Sequence, residues 1–159
     1  MHNNPNDEWW WFLAMKVKLK RMWLAFPFWI TIYFPADGCY NYSTLSDADR
    51  KNTYDTPPNS EGVCDSSLPE GWYRFKGGAG KKIPTTPVDG HHCNTAYPGW
   101  LRGDEPIVGD GEVSRTVCFT RGDNTCKNSI TITMKNCGSY FIYKLVPTPK
   151  CNSRYCGTD

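Results

Sequence analysis

The sequence predicts a mainly β, small, disulfide-rich extracellular domain with short strands, long loops and at most a short helix. Its 159 residues contain eight cysteines, widely spaced and without a C-x-x-C pair, which favours disulfides over a zinc site or a redox motif. Disulfides persist in oxidising compartments, so the cysteines also predict secretion. Short aromatic and β-branched runs, separated by loops rich in Gly, Pro and Asn, predict the strands.

The chain begins with a leader that contains no cysteine. Residues 1–14 are an unassigned leader extension, and residues 15–38 are predicted to be a signal peptide, because four basic residues precede a thirteen-residue apolar run. Ala36 and Gly38 are small residues at a suitable cleavage spacing. An uncleaved signal anchor is the alternative, which would leave a type II membrane-anchored domain facing outside. Residues 39–159 are then one domain, with no membrane contact after signal cleavage.

A glycosylation sequon lies near the start of this domain. Asn41-Tyr42-Ser43 is the only N-x-S/T sequence in the chain. In a secreted protein it predicts an N-glycan on Asn41, which places this residue at the surface. An unused sequon is the alternative, because it lies close to Cys39.

The first strong strand is predicted over residues 72–75. Its aromatic residues have high β preference, and Pro69 and Gly71 bound the run. A further tryptophan, flanked by turn residues, is expected to bury its large side chain in a small core. The predicted core residues are Trp72, Tyr73, Phe75 and Trp100.

The last third of the chain is the clearest β region. Ile130, Ile132 and Met134 alternate with polar residues, which is the pattern of a half-buried strand. A strand over residues 113–119 is predicted before it. Another is predicted over residues 140–146, after a tight Gly-Ser turn.

Composition and motifs exclude several classes of function. The 18 Lys and Arg against 16 Asp and Glu give a net charge of +2, and the cysteine-containing part shows no basic stripe. Neither nucleic acid nor an anionic membrane is therefore an expected partner. No G-x-S-x-G or H-E-x-x-H motif occurs, and paired cysteines leave no thiol nucleophile. The sequence thus predicts no enzyme activity, no cofactor and no metal.

Residues 64–84 resemble a known family. Their sequence, CDSSLPEGWYRFKGGAGKKIP, is similar to the eight-cysteine domain of the uromodulin and pancreatic zymogen granule membrane glycoprotein family. The likeness continues through Cys93-Asn94-Thr95-Ala96 and Trp100-Leu101 to Tyr155-Cys156, and it covers nearly all of residues 39–159. It implies an extracellular recognition domain, which in this family accompanies a zona-pellucida-type polymerisation module.

The resemblance also implies the disulfides. Ten-cysteine members have two further cysteines, at the positions of Pro87 and Thr125, and the loss of both leaves no odd thiol. In uromodulin-like members a glycan in the last strand is offered to bacterial adhesins, but the matching residue here, Lys144, lies in no sequon. The implied pairs are Cys39–Cys137, Cys64–Cys151, Cys93–Cys156 and Cys118–Cys126.

The sharpest local feature is Arg121-Gly122-Asp123, which lies between Cys118 and Cys126. A disulfide-closed Arg-Gly-Asp loop resembles integrin-binding loops of disintegrin type, and closure lowers the entropic cost of binding. The metal of an integrin would take the carboxylate, and an acidic pocket would take the guanidinium. An ordinary hairpin turn is the alternative. A second copy, Arg102-Gly103-Asp104, lies where the family itself requires a glycine, and carries little weight.

Together these patterns predict a secreted, non-catalytic recognition or adhesion domain that displays a glycan or binds extracellular proteins. Two alternatives remain open. One is a structural extracellular-matrix component without a discrete ligand. The other is an integrin-binding domain that acts through Arg121, Gly122 and Asp123.

Overall fold

Seven strands form one β-sheet in residues 37–159, the part of the chain that the computed structural model describes. The predicted leader extension, and the predicted signal peptide apart from its last two residues, lie outside the described residues. The only helices among the described residues are single 3-10 turns at Ala48–Arg50, Gly77–Ala79 and Val108–Asp110. The mainly β, disulfide-rich fold class is confirmed. The strands are β1 (Ser43–Leu45), β2 (Gly71–Phe75), β3 (Tyr97–Arg102), β4 (Glu112–Arg121), β5 (Asn124–Asn136), β6 (Phe141–Leu145) and β7 (Ser153–Tyr155).

The sheet has the order β1-β2-β6-β5-β4-β3-β7. The two outermost pairs, β1 with β2 and β3 with β7, are parallel, and the four inner pairs are antiparallel. The long β4–β5 hairpin supplies the middle of the sheet, and both edges are strands of three residues. Such short edges expose few unpaired backbone groups to other chains.

The predicted alternation in β5 places the main core on one face of the sheet. Ile132 and Met134 are buried and Ile130 is partly buried, because every second side chain of a strand points to the same side. Their cross-strand neighbours include Val117 of β4 and Tyr143 of β6, both fully buried. The apolar alternation in the sequence of β5 therefore identifies the face of this strand that packs in the core.

The same alternation corrects one predicted core residue. Tyr73 and Phe75 are buried in the main core, with 7% and 1% of their surface exposed. Trp72 points to the opposite face, is only half-buried, and lies over Gly38, where an added Cβ would come within 2.9 Å of the indole ring. Trp72 therefore does not belong to the main core, because adjacent residues of one strand point to opposite faces.

Trp100 is buried as predicted, but in a second cluster. Its register partner in β4 is Cys118, and the two share a satellite core with Val88 and with the disulfide between Cys93 and Cys156. Its neighbours Leu101 and Val117 face the main core instead. The sheet thus has a large apolar core on one side and a small, disulfide-lined one on the other.

The structure contains three of the four disulfides that the family resemblance implies. They join Cys39 to Cys137, Cys93 to Cys156 and Cys118 to Cys126. The fourth implied pair is not bonded in the structure. The sulfur atoms of Cys64 and Cys151 lie 2.6 Å apart, closer than unbonded sulfur atoms ordinarily pack. The Cys64–Cys151 disulfide therefore stays a prediction.

A buried ion pair joins three segments that are distant in sequence. The guanidinium of Arg50 donates to both carboxylate oxygens of Asp65, at 2.7 and 2.6 Å, and to the carbonyl of Tyr155 at 3.3 Å. The amide of Tyr155 donates to the same carboxylate at 2.9 Å. Burial lowers the pKa of Arg50, but the hydrogen bonds and charges of Asp65 and Asp47 together outweigh this and raise it overall. The guanidinium is therefore charged at any physiological pH.

A second arginine extends this buried network. Arg154 of β7 donates to the carboxylate of Asp49 at 3.0 Å and to the carbonyl of Cys93 at 3.0 Å. Burial would raise the pKa of Asp49, but hydrogen bonds from Arg154 and Asn94 outweigh it and hold the pKa below its ordinary value. This ion pair therefore stabilises the fold fully above the ordinary Asp pKa, and the contribution is lost as the pH falls through the lowered value.

Among residues 37–159, no helix is long and apolar enough to cross a membrane.

We expect Asp65→Ala to lower the free energy of unfolding by about 3–5 kcal/mol, because it leaves a buried guanidinium without its counter-charge. The matched control is Asp47→Ala. Asp47 also contacts Arg50, at 3.3 Å, but its side chain is 61% exposed, so its loss should change stability by less than about 1 kcal/mol. Urea unfolding of the oxidised domain measures both. Equal effects from the two variants would contradict the role of the buried pair.

We also expect the secreted domain to contain a Cys64–Cys151 disulfide. Intact mass after alkylation without reductant should show four disulfides and no alkylated thiol. Because Cys151 is exposed, whereas no cysteine of the other three disulfides is, mild reductant should open this pair first. Two alkylated thiols before any reduction would refute this disulfide.

Candidate functional site: the disulfide-closed hairpin and its groove

The tip of the β4–β5 hairpin consists of Gly122 and Asp123, between the paired residues Arg121 and Asn124. Gly122 has a φ of 55°, in the left-handed region that a two-residue hairpin turn requires at its first central position. Glycine adopts this conformation without steric strain. The tripeptide Arg-Gly-Asp therefore lies at the tip because its glycine suits the first central position of the turn.

The base of the hairpin is held from three directions. The Cys118–Cys126 disulfide crosses it, with 4.7 Å between the Cα atoms. The indole nitrogen of Trp100 donates to the carbonyl of Thr125 at 2.7 Å, and the hydroxyl of Thr120 donates to the same carbonyl at 3.2 Å. The ladder also shifts its register between residues 119 and 121. These contacts fix the tip relative to the sheet.

The three tip residues are exposed, but they do not all project freely. The guanidinium of Arg121 lies over the ring of Tyr97, with Cζ 5.2 Å from the ring centroid. Within the described part of the chain, neither Arg121 nor Asp123 forms an ion pair. Both charges are thus available to a ligand, although the arginine starts from a stacked position.

A groove of about 930 Å³ lies between this hairpin and the loop that precedes β3. The hairpin side includes Arg121, Asp123 and Lys127, and the loop side includes His91 and Tyr97. The Pro, Gly and Asn content of residues 83–94 predicts only a loop and gives no sign of the groove, because the two groove walls are far apart in the chain. The turn residues of each segment do not indicate that the other segment lies beside it.

The predicted glycosylation site is also accessible. Asn41 is exposed, two residues before β1, and the Cys39–Cys137 disulfide fixes the chain beside it. The phenol of the neighbouring Tyr42 accepts a hydrogen bond from Arg74 at 3.0 Å. An N-glycan at Asn41 would project from the β1 edge of the sheet.

The second Arg-Gly-Asp copy lies in a different setting. Arg102 ends β3, Gly103 has a φ of 104°, and the carbonyl of Asp104 accepts a hydrogen bond from Arg115 at 2.8 Å. No disulfide closes this turn among the described residues, so it is an open strand end rather than a closed loop.

The His, Cys, Asp and Glu side chains of the described residues form no candidate metal centre. No group of three or more His, Cys, Asp or Glu side chains there could hold a metal ion. His92 turns towards Asp55, at 3.3 Å, and the exposed His91 borders the groove. The adjacent histidines therefore do not converge.

A small β-sheet domain closed by disulfides, with an exposed hairpin and an exposed sequon, has the features of an extracellular module. Residues 73–157, more than half of the chain, match the model of the family described as the uromodulin-like eight-cysteine domain. The chain belongs to this family, and the resemblance read from its sequence is confirmed.

Two relatives illustrate the match. The chain is 44% identical over 124 residues to the pancreatic secretory granule membrane major glycoprotein GP2 of Rattus norvegicus. The matched segment covers 76% of this chain and 23% of that protein. It is 40% identical over 121 residues to uromodulin of Mus musculus, and this match covers 76% of this chain and 18% of that protein. The chain therefore spans less than a quarter of the length of these relatives. Its family membership supports an extracellular domain.

Proposed function

We propose that this chain is a secreted, non-catalytic recognition domain that binds extracellular proteins through the hairpin tip Arg121-Gly122-Asp123. The observation that carries the proposal is the closure of an exposed Arg-Gly-Asp turn by the Cys118–Cys126 disulfide. A tip held at its base loses little conformational freedom on binding, so more of the contact energy becomes affinity.

The chemistry of the tip suits an integrin-type receptor. Such a receptor presents a bound metal to the Asp123 carboxylate and an acidic pocket to the Arg121 guanidinium. Arg121 must leave Tyr97 to reach that pocket, and an exposed cation–π contact is worth only about 0.5–1 kcal/mol. The stacked position in the free protein therefore opposes receptor binding only weakly.

We expect Asp123→Glu to abolish cell attachment to plates coated with the oxidised domain, because the longer side chain displaces the carboxylate from the receptor metal. The matched control is Asp104→Glu, in the open second copy, which should attach cells like the unmodified domain. Chelation of divalent cations should also release the cells. Attachment that survives Asp123→Glu removes the integrin proposal.

If the domain were a structural matrix component without a discrete ligand, pull-down with the refolded domain would give no saturable partner. A saturable extracellular partner whose capture depends on the hairpin supports recognition.

Glycan display is the second proposed function, supported by the exposure of Asn41 beside a fixed disulfide. We expect peptide N-glycosidase to lower the mass of the domain secreted from mammalian cells. Asn41→Gln and Ser43→Ala should each remove this shift, because each destroys the sequon, whereas Asn52→Gln should not. An unmodified domain whose mass glycosidase leaves unchanged contradicts glycan display.

A further inference from the structure

The groove between the hairpin and the loop before β3 has an unbalanced set of charges. Arg121 and Lys127 line it, and among the described residues neither is part of an ion pair. Asp123 is the one acidic residue among those that line it. Two unpaired cations on one concave surface favour an anionic ligand.

We propose that this groove binds a saccharide that carries a carboxylate or a sulfate group. Arg121 is suited to this role because its planar guanidinium donates a fork of hydrogen bonds that matches such an anion. Its guanidinium lies over Tyr97, with Cζ 5.2 Å from the ring centroid, and both residues line the groove. Lys127 adds a second positive charge, and the amide nitrogen of Asn124 offers a donor to hydroxyl groups, since its oxygen already accepts from the amide of Cys126 at 3.0 Å.

The opposite wall of the groove is part of a loop with three residues in the left-handed backbone conformation. His91, which lines the groove, has a φ of 62°, and Cys93 and Asn94, which lie beyond the lining, have φ angles of 56° and 52°. Non-glycine residues in this conformation are uncommon and recur at ligand clamps. The Cys93–Cys156 disulfide and the hydrogen bond from Arg154 hold Cys93, and the amide of Thr56 donates to the carbonyl of His91 at 2.8 Å. A wall held at these points needs little reordering when a ligand binds.

The shape of the groove favours a saccharide over an acidic peptide. Its walls are a hairpin tip and a loop, so they offer no strand edge on which a peptide could pair its backbone. No aliphatic side chain larger than that of Ala96 lines it, and Tyr97 is its one Phe, Tyr or Trp residue, so it offers little to an apolar peptide side chain. Sugar hydroxyl groups can form hydrogen bonds with the backbone groups and the side-chain amide that line the groove.

This proposal does not depend on integrin recognition, because the two uses of the site share Arg121 but place opposite requirements on Asp123. A receptor metal requires the Asp123 carboxylate, whereas an anionic saccharide is repelled by it. Asp123→Ala should therefore abolish cell attachment and tighten saccharide binding. The failure of either proposal leaves the other open to its own test.

Isothermal titration calorimetry of the oxidised domain tests the groove, with sialyllactose and a sulfated heparin disaccharide as probes and neutral lactose as the reference. We expect at least one anionic probe to bind and lactose not to bind. Arg121→Gln and Lys127→Gln should each weaken that binding about tenfold, since each removes a charge-assisted hydrogen bond. Arg102→Gln removes an exposed arginine outside the groove and should leave it unchanged. All three residues are exposed, so circular dichroism should show an intact fold.

The two anionic probes distinguish a carboxylate ligand from a sulfate ligand, and binding of either supports the proposal. Any of the following results would overturn it: no binding of either probe at millimolar concentration, equal binding of lactose, or binding that Arg121→Gln and Arg102→Gln weaken equally. Tighter binding of a hexaglutamate peptide with the same dependence on Arg121 would also overturn it, in favour of an acidic peptide.

Discussion

The Arg50–Asp65 ion pair is the interaction on which the loop-rich half of this domain depends. It connects the 3-10 turn after β1, the segment before β2 and the edge strand β7. Asp65 also acts through its backbone, since its amide donates to Ser153 and its carbonyl accepts from Thr148, at 3.0 and 3.1 Å. One residue thus forms hydrogen bonds along one side of a three-residue edge strand. An apolar pair could not replace it, because the amide of Tyr155 would lose its acceptor.

Each end of the sheet is stabilised by one long-range disulfide and one arginine side chain. The Cys39–Cys137 disulfide ties the start of the domain to the end of β5, where Arg74 stacks on Tyr140 with Cζ 3.8 Å from its ring centroid. At the other end, Arg154 and the Cys93–Cys156 disulfide hold the loop before β3. Cross-links of long sequence separation stabilise mainly by restricting the unfolded chain, and they suit a domain whose loops bury little surface.

Sequence patterns predicted the local features and missed the long-range ones. The alternation of Ile130, Ile132 and Met134 identified the core face because a strand repeats every two residues. The closed Arg-Gly-Asp turn and the sequon were visible because each is contiguous. The Arg50–Asp65 pair was not predictable, since its carboxylate could equally have been solvated in a loop. Nor was the groove, whose two walls meet only because β3 lies beside β4.

The buried network also determines how rigid the proposed ligand surface is. Arg154 donates to the carbonyl of Cys93, so the ion pair with Asp49 and the loop that carries one groove wall share one side chain. The facing wall is fixed independently, by the Cys118–Cys126 disulfide and by Trp100. Of the two cationic side chains in the groove, Lys127 forms no ion pair within the described residues, and Arg121 loses only its stacking on Tyr97 when it moves. A ligand that captures those two side chains meets two fixed walls, so its selectivity depends on where the two charges lie rather than on a rearrangement of the fold.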